Sequence, residues 1–330
     1  MISGTKLLSL FVGTTALILT ATAMAVDRGQ VNTDESTIEP YEPSTIGYTK
    51  DSDDVGFMDF TISLKYQLFP RSFMTWTGDD INRLYFAFTG RFGMYIETRH
   101  SSPVIGKSYN PKLFWRHITD STLVPTTLAH ANDGKRRQSY SGYIDFGYNH
   151  QSNGQSIDSA AEYLAGRSTA EKPDYANDNL SRGWDYLEVA WKKTFNENDQ
   201  VHRLQSYLDL KYFLHHGIMQ RTAEEYNEWE NSPEGKPRKA VNGIAATFEY
   251  QYGKSSLFRN IPLLANPTIA LRYETGYQTP FKYSTVRLEI GTQILELPIT
   301  FWAQHGYTSD LAQYFKKVDS YGVELKMGSF

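Results

Sequence analysis

The stretch FGYNHQSNG, Phe146 to Gly154, decides how this chain is read, because it continues a two-residue alternation and closes it with a histidine and a serine. Tyr140, Ile144, Phe146, Tyr148, His150 and Ser152 fall on one face of an extended strand, and Ser141, Asp145 and Asn149 on the other. A soluble sheet would bury the apolar face as core. A membrane barrel turns it toward lipid, which leaves His150 and Ser152 on an accessible wall.

The same one-sided pattern recurs along the chain. From Met58 to Leu68 the even positions are Met, Phe, Ile, Leu, Tyr and Leu, and the odd ones between them are Asp, Thr, Ser, Lys and Gln. Leu84, Phe86 and Phe88 alternate with Arg83 and Thr89, Leu208 and Leu210 with Asp209 and Lys211, and Phe248 and Tyr250 with Thr247 and Glu249. Leu288 and Ile290 alternate with Arg287 and Glu289, and Val323 and Leu325 with Glu324 and Lys326. Eleven clear strands and a weak first one, Ser44 to Lys50, predict an all-β, transmembrane antiparallel barrel of about twelve strands, since bacterial single-chain barrels have an even number. Both termini then lie in the periplasm. The longest connections, near Ser152 to Gly183 and His215 to Asn242, emerge at the opposite end, which puts His150 and Ser152 in the outer leaflet.

Composition agrees with walls that are oily on one side only. Aromatics make up 14% of the 330 residues, with 23 Tyr and 18 Phe, yet mean hydropathy is −0.49. A net charge of −4 argues against a nucleic-acid partner. The lack of cysteine excludes disulfides, thiolate metal sites and a cysteine nucleophile. Lys6, the apolar run from Leu7 to Leu19 and Ala23-Met24-Ala25 predict a secretory signal over residues 1–25. Residues 26–42 are polar, acidic and aperiodic, as expected of a mobile periplasmic arm, and residues 43–330 are read as the barrel. The terminal Phe330 has the wrong parity for the oily face of the last strand.

Ester hydrolysis by a serine needs a base for its proton, a group that orients the base, and donors for the oxyanion. His150 and Ser152, two apart on a strand, are roughly 6–7 Å apart at Cα, within reach for an imidazole that leans along the strand. The plainer reading is an interfacial histidine beside a surface serine. In WDYLEVAW, Trp184 to Trp191, the oily face is Asp185, Leu187, Val189 and Trp191, so one acid faces lipid. A carboxylate there needs a partner. Antiparallel pairing across the loop places it near His150, where it could orient the imidazole.

His150, Ser152, Asn153 and Gly154 together resemble the His-x-Ser-Asn-Gly signature of the outer membrane phospholipase A family of calcium-dependent bacterial enzymes. The resemblance extends to SLKYQL at Ser63 to Leu68, to SSP at Ser101 to Pro103 with YNPKLF following, and to SRGWDYL at Ser181 to Leu187. It implies calcium-dependent hydrolysis of phospholipid acyl esters, of the phospholipase A1 type, with Ser152 as nucleophile and His150 as general acid/base. The orienting position falls on Asp185, where the family typically has asparagine, so the resemblance alone implies that Asp185→Asn would remain active. It also implies that the Gly154 amide serves the oxyanion, although an ordinary turn glycine is the alternative. Asn153 faces the lumen and reads as a structural amide. The family's calcium ligands map to Ser101, Gln155 and Ser181, with Ca2+ polarising the substrate carbonyl. Asp158 and Glu162 are extra ligands or, more simply, solvated loop charges. Calcium and lipid complete the family's site across a homodimer, and the glutamine the family places in that interface is replaced near Gly90. The alternative from another class is a non-enzymatic barrel, a porin or structural protein, with a degenerate site.

Overall fold

In the computed structural model, the described residues are 30–32, 38–69, 82–96, 105–123, 137–155, 157, 159–170, 177–195, 202–220, 235–252, 265–294 and 297–327. The expected signal segment, Ser101, Asp158 and Phe330 lie outside them. Two short strands, β1 (Gln30–Asn32) and β2 (Ile38–Pro40), precede twelve long ones. These are β3 (Ser44–Asp51), β4 (Gly56–Gln67), β5 (Asn82–Ile96), β6 (Ile105–Leu123), β7 (Arg137–Ser152) and β8 (Gly183–Phe195). They continue as β9 (His202–Phe213), β10 (Gly243–Tyr252), β11 (Ala265–Gly276), β12 (Ser284–Ile294), β13 (Leu297–Tyr307) and β14 (Lys317–Met327). Each pairs antiparallel with its sequence neighbours, and β14 pairs with β3, so β3 to β14 close into a barrel. Closure leaves no edge among these twelve strands. No helix among the described residues is long and apolar enough to cross a membrane.

The alternation sets the faces as expected. Phe146 is 54% exposed on the outside while Asn149, on the other parity, is fully buried in the bore. Leu64, Phe88, Trp115, Leu187, Phe248, Ile290 and Phe301 join the oily exterior, the surface a barrel presents to lipid. Inside, buried charges pair across strands. Arg116 grips Asp145 with both Nε and Nη2, at 2.8 and 2.7 Å. Lys112 Nζ lies 3.2 Å from Glu188, and Lys326 Nζ 2.7 Å from Glu289.

At the end where β7 leaves the wall, Trp184, Phe213, Val241, Leu311, Tyr314 and Phe315 form an apolar plug, with Trp184 edge-on to Tyr314. The connection between β13 and β14 supplies three of these side chains, so this hairpin turns inward. Among the described residues, paired charges and this plug line the bore.

Two segments differ from a plain loop or arm. Ile38–Pro40 extends the line of β3 along β4, Tyr41 packs on Phe114, and Glu42 reaches Lys112 at 3.1 Å. Tyr41 and Glu42 thus reach into the barrel, where Glu42 gives Lys112 a second acceptor beside Glu188. In the long connection after β7, Ala160–Thr169 forms a helix that Ser159 caps by accepting from the Glu162 amide. It docks through Tyr163 on Leu180.

Candidate functional site

The end of β7 is held from its lumenal side. Asn110 on β6 donates to the His150 carbonyl at 2.9 Å, and Gln151 donates to Ser108 Oγ at 3.0 Å. Asn149 donates to Glu188 on β8 at 3.1 Å. Just beyond the strand, the buried Asn153 fastens both sides of the long connection. Its Nδ2 donates to Leu180 O at 2.7 Å, while its Oδ1 accepts from Arg182 N at 2.8 Å. Asn153 is therefore the structural amide that its lumenal parity predicted. With so many fixed points, the β7–β8 register is defined up to its last rung: His150 faces Asp185 and Ser152 faces Gly183.

That register brings the sequence-derived pair together. His150 Nδ1 lies 2.6 Å from Asp185 Oδ1, and Asp185 is fully buried although its parity is the outward one. Among the described residues, the His150 ring bonds through Nδ1 alone, and no hydrogen bond joins its Nε2 to Ser152. A Cβ placed on Gly183 would sit 3.4 Å from Ser152 Cβ and 3.6 Å from His150 Cε1. The serine and the imidazole thus both flank Gly183, on the same outward face of β7.

What buries Asp185 is a strap that the sequence reading did not foresee. After β9 the chain does not leave the wall. Leu214 N donates to the Asp185 carbonyl at 2.9 Å, and the following residues fold back over the outside of β8. Met219 N and Gln220 N donate to Asp185 Oδ2 at 2.7 and 3.3 Å. Tyr148, one outward position before His150, donates its hydroxyl to the same oxygen and accepts from Ile218 N at 2.7 Å. A Cβ on Gly217 would overlap the carboxylate, so glycine alone allows so close a crossing. The signal for the strap was that glycine, and the signal for Tyr148 was its place two residues before His150. Backbone amides carry no sequence mark, which is why the rest stayed hidden.

The Asp185 carboxylate is an acceptor ringed by donors: one imidazole, one phenol and two amides. None carries a fixed positive charge. Such a carboxylate fixes the histidine proton on Nδ1 and presents Nε2 as an acceptor.

Gly154 adopts φ +57°, the left-handed turn that favours glycine. Among the described residues no group accepts from its amide. Gln155 and Ser181 lie on segments that run side by side, since Asn153 N donates to Arg182 O at 3.0 Å and Ser181 N donates to Ile157 O at 2.8 Å. Hydroxyl and carbonyl oxygens there suit a hard cation. Among the described residues no cluster of three or more His, Cys, Asp or Glu could hold a metal, so any cation near Ser152 would rely on such neutral oxygens. Glu162 is exposed on its helix, and its amide donates to the Ser159 cap.

Among solved structures, outer membrane phospholipase A from Escherichia coli matches with a TM-score of 0.55 at 16% sequence identity, covering 89% of this chain and 99% of that one. A Salmonella typhi outer membrane phospholipase dimer with bound calcium also gives a TM-score of 0.55 at 16% identity, covering 89% and 93%. No protein-family profile matches the chain, and no curated protein matches it in sequence. Identity this low carries architecture alone. The chain has the barrel fold of outer membrane phospholipase A.

Proposed function

We propose that this protein is an outer-membrane acyl hydrolase of phospholipids, with Ser152 as nucleophile, His150 as general acid/base and Asp185 as the group that orients the imidazole. One observation carries the reading: a buried carboxylate on the lipid-facing wall, 2.6 Å from the Nδ1 of a histidine that has a serine two residues on along the same face of its strand. A carboxylate on that wall is costly unless it is partnered, and here four donors hold it.

In this mechanism Nε2 takes the Ser152 proton as Oγ attacks the ester carbonyl, and Asp185 stabilises the imidazolium that forms. His150 then returns the proton to the leaving alkoxide, which departs as the alcohol of a lysophospholipid. Water, deprotonated by the same imidazole, cleaves the acyl-enzyme and releases the fatty acid. The Gly154 amide is the donor for the oxyanion. Ser101, Gln155 and Ser181 would hold a Ca2+ ion, which would supply Lewis-acid polarisation of the ester carbonyl. The site opens on the outer leaflet, where the substrate is membrane phospholipid, and a second copy of the chain completes a homodimer in the membrane.

Reaction of the folded protein in detergent with a fluorophosphonate tests this reading. We expect one covalent adduct, located at Ser152 and lost in Ser152→Ala. No adduct on a heat-modifiable, folded barrel would favour the non-enzymatic alternative.

A further inference from the structure

Resting on that hydrolase reading, we propose that the strap Leu214–Gln220 and Tyr148 form a donor-only cradle that makes a carboxylate obligatory at position 185, with Tyr148 as a positioning residue for the reaction. Oδ2 of Asp185 accepts from Met219 N, Gln220 N and the Tyr148 hydroxyl, and Oδ1 faces His150 Nδ1. The phenol cannot easily reverse, because Ile218 N already donates to it at 2.7 Å.

An asparagine fails here in either orientation. With its oxygen toward His150, its NH2 group points at two backbone N–H groups that cannot accept. With its oxygen toward those amides, its NH2 group points at Nδ1. The imidazole must then accept through Nδ1 and carry its proton on Nε2, the atom that has to take the proton from Ser152. Tolerance of Asp185→Asn, which the family resemblance implies, is therefore not expected of this chain.

The strap also explains how a charge survives on a lipid-facing wall. Its amides point inward, while Ile218 is 87% exposed and Met219 more than half exposed. Side chains that suit lipid thus cover a carboxylate that does not. Gly217 makes this possible by crossing directly over Asp185.

The test uses the full-length barrel in detergent with Ca2+, comparing wild type, Asp185→Asn, Asp185→Ala and Tyr148→Phe. Readouts are the rate of fluorophosphonate labelling and phospholipid hydrolysis against pH, after heat-modifiability has verified folding. We expect Asp185→Asn to fall at least about 100-fold, close to Asp185→Ala. Tyr148→Phe removes one donor from the carboxylate, which then holds the imidazolium proton more tightly. Its rate should fall by up to about tenfold, with the acid limb moved to higher pH. A change in stability alone would lower the amount of folded protein and leave that limb in place. Asp185→Asn within threefold of wild type, or a Tyr148→Phe profile that superimposes on wild type, would overturn the proposal. If Asp185→Asn does not fold, the Tyr148→Phe profile decides. Failure of wild type itself to label would overturn the hydrolase reading instead, and this inference with it.

Discussion

The barrel buries carboxylates on both sides of the same two strands, and it does so by opposite means. On the lumenal side, Asp145 of β7 is gripped by two nitrogens of Arg116, a permanent cation, at 2.7–2.8 Å. On the lipid side, Asp185 of β8 is held by an imidazole, a phenol and two backbone amides. A fixed cation neutralises its partner for good, so the lumenal pair serves the wall. The donors around Asp185 satisfy its oxygens without a permanent cation beside it. On the hydrolase reading proposed above, that difference is what suits the outer site to acid–base chemistry.

The widest separation between the two regions should come from His150→Ala. Hydrolysis should drop by at least about 10³-fold while the unboiled protein still migrates as a folded barrel. Smaller, and specific to the strap, is Gly217→Val. Any side chain there overlaps Asp185, so the strap must lift and the imidazole loses its alignment, at a cost of about 10²-fold in rate. Hydrolysis in mixed micelles should fall about tenfold or more in chelator and recover with excess Ca2+. Full activity in chelator would show that Gln155 and Ser181 hold no metal and would leave the serine mechanism standing.

The smallest effect on rate belongs to the lumen. Arg116→Ala leaves Asp145 buried and unpaired, which should cost about 3–5 kcal/mol of stability. The labelling rate per folded molecule should stay that of wild type. A parallel loss of rate would mean that the lumenal pair and the outer site are coupled through β7 and do not act separately.

How much of this could be read beforehand follows the same division. Side-chain alternation marks a face at every residue, so the oily and wet walls of β4, β10 and β14, and the outward setting of His150, Ser152 and Asp185, were legible. Register across the long connection was only an expectation. It is fixed by Asn153, whose amide bridges to Leu180 and Arg182. The helix after β7 left a trace in Ser159-Ala-Ala-Glu162, a serine cap three residues before a glutamate. Tyr148 looked like one more aromatic on the lipid face. The strap works through N–H groups that every residue but proline possesses, so only Gly217 could have announced it.

We read Ser152 on the outer wall as the nucleophile of a phospholipid hydrolase. The most direct test is release of fatty acid and lysophospholipid from phospholipid micelles containing Ca2+, by equal amounts of folded wild type and Ser152→Ala. The account predicts turnover by wild type and a loss of at least about 10³-fold in the variant. Equal release by the two proteins, or none by either, would contradict it.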